Sequence, residues 1–340
     1  MKALVFKDNE LRLESDYPRP RRSRGEALVR VTVAGICATD LEIVKGYMEF
    51  EGVLGHEFTG VVEEDTSGRW LGKRVAGEIN AGCGGCGWCG TGLANHCPGR
   101  TVLGIAGRDG AFAEYLTLPE ANLHALPDGV SDQEAVFVEP LAAAFEILEQ
   151  VDISPKDSVC VLGDGRLGLL AAQVLAGRTA SLLAAGRHPE KLAILQARGI
   201  KTALGGARPA GKESKQNVSR FNSETGEQLR EFDFVVDCTG SAGGLEAALD
   251  LVRPRGTIIL KTTAAGQRPA DLNRVVVDEI TLIGSRCGPF PPAIQALAKK
   301  EIDVKNMISA VFPFDEAHRA MRAAAEKGAL KVLLTVARQE

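Results

Sequence analysis

No stretch of this 340-residue chain stays apolar for anything near the roughly 20 residues that would span a bilayer, which excludes a membrane-spanning helix. Aromatic residues are scarce at 5 %, which argues against a pocket built mainly from stacked rings. Neither sign of charge prevails: 40 Lys and Arg face 44 Asp and Glu, a net charge of −4, so no field draws the protein toward nucleic acid or an anionic membrane. The short basic run at 19–24, Arg-Pro-Arg-Arg-Ser-Arg, is expected to be a solvated loop. The opening Met-Lys-Ala-Leu-Val-Phe lacks the order of a secretory signal and predicts a strand. Eight cysteines without an export signal point to a reducing, cytoplasmic setting rather than to disulfides.

What is present is glycine, 38 residues of it, and cysteine in a pattern. Cys83-Gly-Gly-Cys86-Gly-Trp-Cys89-Gly-Thr-Gly-Leu-Ala-Asn-His-Cys97 sets four thiols on a Gly-rich turn, the donor set and backbone freedom that a closed, structural zinc site requires. A disulfide framework is the competing reading, and His96 the nearby rival ligand, expected on the lobe surface.

Length and ordinary globular composition predict two domains. Residues 1–140 are β-rich: 27–34 alternates apolar and polar residues, and short strands are expected at 59–63, 74–78 and 112–118 between Gly-rich turns, a compact barrel-like domain from which the cysteine lobe, 83–97, protrudes. The pattern changes at a helix predicted over 134–151. From 158 onward apolar strands (159–162, 180–185, 233–237, 257–260) alternate with helices (167–176, 189–198, 243–251), which predicts a doubly wound parallel sheet over 141–288. The polar stretch 205–231 is expected to be a long solvated connection with a short edge strand. The tail, 289–340, with helices near 293–300 and 316–327 and two strands, is expected to return to the first domain.

Within the second region, Leu162-Gly163-Asp-Gly165-Arg-Leu-Gly168 is a G-x-G-x-x-G that follows a buried strand and opens a helix. Gly163 permits the turn, Gly165 lets backbone approach a pyrophosphate, Gly168 lets helix meet sheet, and the amides of Arg166 and Leu167 meet the phosphates. A tight turn without a ligand is the plainer alternative. In the first region, Cys37 of Cys-Ala-Thr39-Asp40, His56 and Glu57 of Gly-His-Glu, and Glu139 of Val-Glu-Pro-Leu-Ala make the mixed thiolate, imidazole and carboxylate set of a catalytic zinc. Each residue alone also fits a plain role: buried thiol, satisfied core histidine, surface charge, helix cap. Cys160, Cys238 and Cys287 read as small core residues.

Cys-Ala-Thr-Asp, Gly-His-Glu, the cysteine lobe, Glu-Pro-Leu-Ala and the glycine fingerprint, in that order, resemble the zinc-dependent medium-chain dehydrogenases/reductases, the alcohol and polyol dehydrogenase family, over essentially the whole chain. The resemblance implies a GroES-like catalytic domain, a Rossmann domain, one catalytic and one structural Zn2+, and a zinc-dependent alcohol dehydrogenase or carbonyl reductase acting on a small alcohol, aldehyde or ketone. It makes Cys37 and His56 catalytic zinc ligands and leaves Glu57 and Glu139 competing for the third place. Thr39 fits the first proton relay. Where many relatives carry a histidine to pass the proton on, this chain has Glu42, which reads equally as relay or surface residue. Only eighteen residues separate Cys37 from His56, so the usual substrate-contacting loop is expected to be short. Arg286 falls where relatives bring chain to nicotinamide and substrate. Thr239, after the strand predicted at 233–237, is a further cofactor candidate. A homodimer or homotetramer is implied. A zinc-independent quinone or enoyl reductase of the same fold, and a non-enzymatic zinc-lobed binding protein, are the alternatives that the ligand set argues against.

An NAD-type Rossmann domain ends its second strand with an acid that binds the ribose hydroxyls. Here that position is Gly186, followed by Arg187, His188 and, in the next helix, Lys191. A guanidinium in place of a carboxylate suits a 2′-phosphate, so NADP(H) is expected over NAD(H), with reduction the direction favoured in the cell.

Overall fold

The strand Glu26–Ile36 organises the first part of the molecule, because β-branched and small residues along it are buried on both faces toward its end. The computed structural model describes residues 1–205, 232–263 and 271–336. Two units emerge, Met1–Glu139 with Phe290–Glu340, and Pro140–Pro289. Among the described residues, the larger sheet of the first unit runs in the order Leu123–Ala125, Arg74–Gly77, Glu57–Glu64, Glu26–Ile36, Lys331–Thr335, Ile308–Pro313. Glu57–Glu64 pairs antiparallel along one side of the organising strand. On its other side Tyr115–Pro119 takes residues 26–30 and Lys331–Thr335 takes residues 33–36. The tail thus completes the sheet beside the strand that ends in Cys37.

The second unit holds six parallel strands in the order Lys201–Leu204, Ser181–Gly186, Ser158–Leu162, Phe232–Asp237, Val252–Leu260, Thr281–Gly284. The chain starts in the middle, works outward on one side, then returns to work outward on the other, which is the doubly wound Rossmann order. Val159, Cys160, Val161 and Leu162 are essentially without solvent, as strands covered on both faces should be. The helices Arg166–Ala176, Pro189–Gln196 and Gly244–Leu251 turn Leu169, Leu192 and Leu245 among their buried faces. The connection read at 205–231 lies outside the described residues from 206 onward.

Boundaries differ from the sequence reading in three informative places. The single helix expected over 134–151 is two, Asp132–Ala135 and Val138–Gln150, because Ser131 and Glu134 form a capping box that starts a turn early. The strand expected at 112–118 begins only at Tyr115, because Phe112 is already pinned by backbone bonds to Leu54 and Leu4, 2.8 Å each. The strand expected at 257–260 begins at Val252 and carries an irregular register next to Phe232 and Phe234.

Glu134 links this cap to the tail. Its carboxylate accepts from Ser131 Oγ (2.6 Å), Ser131 N (3.0 Å) and Lys300 Nζ (2.9 Å). Burial alone would raise its carboxyl, but these donors outweigh it and hold the group down to about 2. A folded-state value below the unfolded one stabilises above the unfolded pKa and is lost as pH falls toward 2. Glu134→Gln is therefore expected to lower stability by about 1–2 kcal/mol at pH 7, since Lys300 is half exposed. In denaturant titrations at stepped pH, the gap between variant and wild type should narrow below about pH 4.5; a gap that persists at pH 2.5 contradicts the assignment.

Candidate active site and metal lobe

The four lobe cysteines are held by two short turns. Gly87–Gly90 is a single helical turn capped by Cys86, and Ala94–His96 a 3-10 turn that delivers Cys97. All four sulfurs lie within 4.8 Å of one another, with Cys86 Sγ 3.6 Å from both Cys89 Sγ and Cys97 Sγ. A disulfide needs about 2.05 Å. A tetrahedron of thiolates about 2.3 Å from a zinc ion has edges of roughly 3.8 Å, so the spacing fits the metal. A backbone bond from Gly85 is the main cause that lowers the Cys83 thiol to about 6, whereas at Cys89 a backbone bond from Gly84 is outweighed by burial and the neighbouring thiols, which push it up to about 11. His96 stands outside this donor group.

The second donor group gathers at the end of the organising strand. Cys37 caps the helix Ala38–Val44, and His56 and Glu57 enter the neighbouring strand. Cys37 Sγ, a His56 ring nitrogen and a Glu57 carboxylate oxygen lie within 4.8 Å of one another; Glu139, half-buried at the start of Val138–Gln150, is outside the group. Thr39 Oγ1 is 3.8 Å from Cys37 Sγ. Glu42 lies on the exposed face of the same helix, where Lys45 Nζ donates to it at 2.8 Å.

Three residues that sequence reasoning did not single out shape this group. Asp40 has no solvent exposure. Its Oδ2 accepts from Cys37 N (2.7 Å), its Oδ1 from Gly55 N (3.2 Å), and Oδ1 stands 3.2 Å from His56 Nδ1. That contact is close but off the N–H direction, so Nδ1 has no aligned partner. Burial would lower the His56 imidazole, but Asp40 and then Cys37 outweigh it and raise the group well above its ordinary value. Lys331, from the first residue of the tail strand, donates to Glu57 Oε2, and both side chains are buried. Gly35 makes the room: a Cβ there would meet Glu57 Oε2 at 2.8 Å and Lys331 Cδ at 3.3 Å. Gly35 pairs with Glu57 on one side and with Leu333 on the other, so two opposite charges meet across a strand that has no side chain between them.

In the second unit the glycine loop has the shape the motif predicts. Gly163 has φ 110°, and a Cβ on it would fall 2.5 Å from Cys238 O. A Cβ on Gly168 would fall 1.9 Å from Gly163 O. Gly165 has neither need: its φ is ordinary and nothing stands within 4 Å of an added Cβ. The open space beside it, at the N-terminus of Arg166–Ala176, fits a dinucleotide's pyrophosphate. Arg166 and Leu167 start that helix, half-buried. Arg187 is exposed, His188 half-buried, and Lys191 mostly buried. Thr239 Oγ1 donates to Asp237 Oδ1 at 2.7 Å and so shapes the turn after the fourth strand. Arg286 is exposed, while its carbonyl and Ala143 O accept from the buried Lys261.

Comparison with known proteins matches residues 23–128 to the alcohol dehydrogenase GroES-like domain and residues 167–301 to the zinc-binding dehydrogenase domain. A sorbitol dehydrogenase of Halalkalibacterium halodurans is 30 % identical over 332 residues, 94 % of each chain. The chain belongs to the zinc-type medium-chain dehydrogenase/reductase family. Within it, a crystal structure of an E. coli CFT073 protein described as short chain alcohol dehydrogenase (rspB), complexed with NADH, covers 99 % of each chain with TM-score 0.87 and 28 % identity. A zinc-binding dehydrogenase of Sinorhizobium meliloti 1021 bound to NADP gives TM-score 0.84 and 26 % identity over 98 % of this chain and 99 % of that one. The family is one of polyol and alcohol dehydrogenases. Among the described residues no helix is long and apolar enough to cross a membrane.

Two donor groups of different make lead to separable outcomes. Metal analysis is expected to find about two zinc per chain, and Cys89→Ser about one, with a lowered melting temperature because between the paired strands Asn80–Ala81 and Thr101–Leu103 the lobe has only two short turns to hold it. Cys37→Ser should also lose about one zinc but keep the wild-type melting temperature within a few degrees. Unchanged metal content in either variant contradicts the corresponding site.

Proposed function

We propose that this protein is a zinc-dependent alcohol dehydrogenase and carbonyl reductase of the polyol type, working with NADP(H) on small alcohols, aldehydes or ketones. The convergence of Cys37, His56 and Glu57, with Thr39 beside the sulfur, carries the reading. Cys37, His56 and Glu57 hold the catalytic ion, and Glu139, outside that cluster, is left as a neighbouring carboxylate. Bound zinc supplies Lewis acidity that makes an alcohol hydroxyl acidic near neutral pH, and the bound nicotinamide exchanges the hydride.

The chain's own residues do the rest. Asp40 fixes the Cys37 turn through its backbone N–H and sets the His56 ring, as outer partners of metal ligands do. Lys331 takes one oxygen of Glu57 and leaves the other free for the ion. Thr39 carries the substrate proton away through its hydroxyl; Glu42, exposed and paired with Lys45, is poised only at the solvent end of such a path. The absence of an acid at Gly186 and the presence of Arg187 support a 2′-phosphate partner. The working form is a cytoplasmic homodimer or homotetramer; Leu272, Val276 and Val277, exposed on the helix just before the edge strand Thr281–Gly284, offer an apolar face for it.

Thr39→Val keeps the shape and removes the hydroxyl, so kcat should fall by about 10²–10⁴-fold with cofactor affinity nearly kept. A loss under about threefold removes Thr39 from the mechanism. Steady-state kinetics with a panel of primary, secondary and polyol alcohols should show higher kcat/KM with NADP than with NAD, and Arg187→Ala should narrow that ratio by about tenfold. Equal or better use of NAD by the wild type contradicts the cofactor assignment.

A further inference from the structure

The glycine loop contains a carboxylate for which the dinucleotide motif has no use. Asp164 stands between Gly163 and Gly165 and is 7 % exposed. Its side chain crosses from the loop after the first strand to the end of the second. There Oδ2 accepts from the backbone N–H of Arg187 and of His188, 2.6 Å each. His188 Nδ1 lies 3.0 Å from both carboxylate oxygens, and since a carboxylate only accepts, this nitrogen donates. Burial would raise the carboxyl; His188 and the two amides outweigh it and hold it below its ordinary value, so the group is an anion at neutral pH.

The same carboxylate explains Gly186. This glycine's φ is not in the left-handed region, so no turn requires it. It is glycine for lack of room: a Cβ would fall 2.5 Å from Asp164 Cβ and 2.5 Å from Asp164 Oδ2. The end of the second strand has space for one side chain, and Asp164 fills it from the neighbouring loop. An acid at this strand end in an NAD-type domain presents its oxygens to the ribose hydroxyls. Here the acid turns its oxygens onto the Arg187–His188 turn, and three donors occupy most of its roughly four acceptor directions. What the turn has left over is the exposed, positively charged guanidinium of Arg187.

We propose that Asp164 is a specificity-determining positioning residue, which takes the place of the ribose-reading acid, excludes any side chain at 186 and holds the turn that presents Arg187 to a 2′-phosphate. The proposal rests on the NADP(H) reading above and adds the residue that enforces it.

Calorimetric titration of the intact protein with 2′,5′-ADP and with 5′-ADP tests it without turnover. The wild type should favour 2′,5′-ADP by about tenfold or more, the worth of one charge-assisted contact. Asp164→Asn and Asp164→Gly should cut that preference at least about fivefold while 5′-ADP binding stays within about threefold. A purely structural role would weaken both ligands in parallel; that result, or an unchanged preference, overturns the proposal. The shared space is read separately from melting temperatures. Gly186→Asp should melt several degrees lower than wild type, and Asp164→Gly/Gly186→Asp should recover the loss and favour 5′-ADP. A Gly186→Asp protein as stable as wild type, or a double variant that recovers nothing, overturns the exclusion. A wild type that prefers 5′-ADP overturns the NADP(H) reading, and the melting pair then still decides whether Asp164 and residue 186 compete for one place.

Discussion

A lysine and a glutamate, both out of reach of water, meet over Gly35 and tie the tail of the chain to the candidate catalytic center. Glu57 is next to His56, the candidate ligand, and 274 residues before Lys331 in the sequence. Deleting one member would leave the other as an uncompensated buried charge, a loss of about 3–5 kcal/mol for pairs of this kind. The pair depends in turn on a strand that offers no side chain at one position. Gly35 lies two residues before Cys37, so the strand end that delivers the thiolate also provides the gap in which the neighbouring carboxylate finds its cation. The tail strand Lys331–Thr335 is therefore part of the site's construction as well as of the sheet.

Around that pair, the ligands are positioned by backbone as much as by side chains. Asp40 binds the amides of Cys37 and Gly55, the residues on which the thiolate and the imidazole hinge, and adds a carboxylate beside the imidazole. One buried acid thus sets two ligands at once. Asp164 repeats the device in the second unit, where a single carboxylate gathers two backbone amides and an imidazole at the end of a strand. In both cases the anion is stabilised by donors whose positions it fixes, so its removal disturbs geometry before it disturbs charge.

This division marks what was legible in the sequence. The cysteine lobe, Gly-His-Glu and G-x-G-x-x-G are local: spacing and glycine content are the chemistry, and neighbours in sequence are neighbours in space. The α/β plan was legible from the change of apolar period near 134; no sequence signal specified the partner of the tail strand Lys331–Thr335, which lies beside Glu26–Ile36. Asp40, Lys331 and Asp164 act across space and carry no spacing signal. Lys331 opens the apolar run Val-Leu-Leu and reads as an ordinary strand-end lysine until Glu57 is seen beneath it. Asp164 occupies an x of the glycine motif, a position that motif reading ignores. Gly186 was legible as a missing acid, but the reason for the glycine, a side chain arriving from the neighbouring glycine loop, was not. Glu42, which the sequence left open between relay and surface residue, lies on an exposed helix face beside Lys45.

The charges around Cys37 state what kind of ion the site is built for. Cys37 as thiolate, Glu57 and Asp40 are three buried or half-buried anions, Lys331 is one buried cation, and a ligating His56 is neutral. With His56 ligating and so neutral, these groups sum to two negative charges, which a divalent cation would balance. The cysteine lobe does not share this balance. Four thiolates exceed a divalent ion by two charges, which is tolerable because Cys83 is exposed and the lobe faces solvent. Charge balance therefore separates the two donor groups independently of spacing: the exposed lobe offers four soft donors, and the buried group offers a set whose charge a single divalent ion would neutralise, with Lys331 in the count. Without that lysine, Cys37, Glu57 and Asp40 together would place three negative charges around a divalent ion.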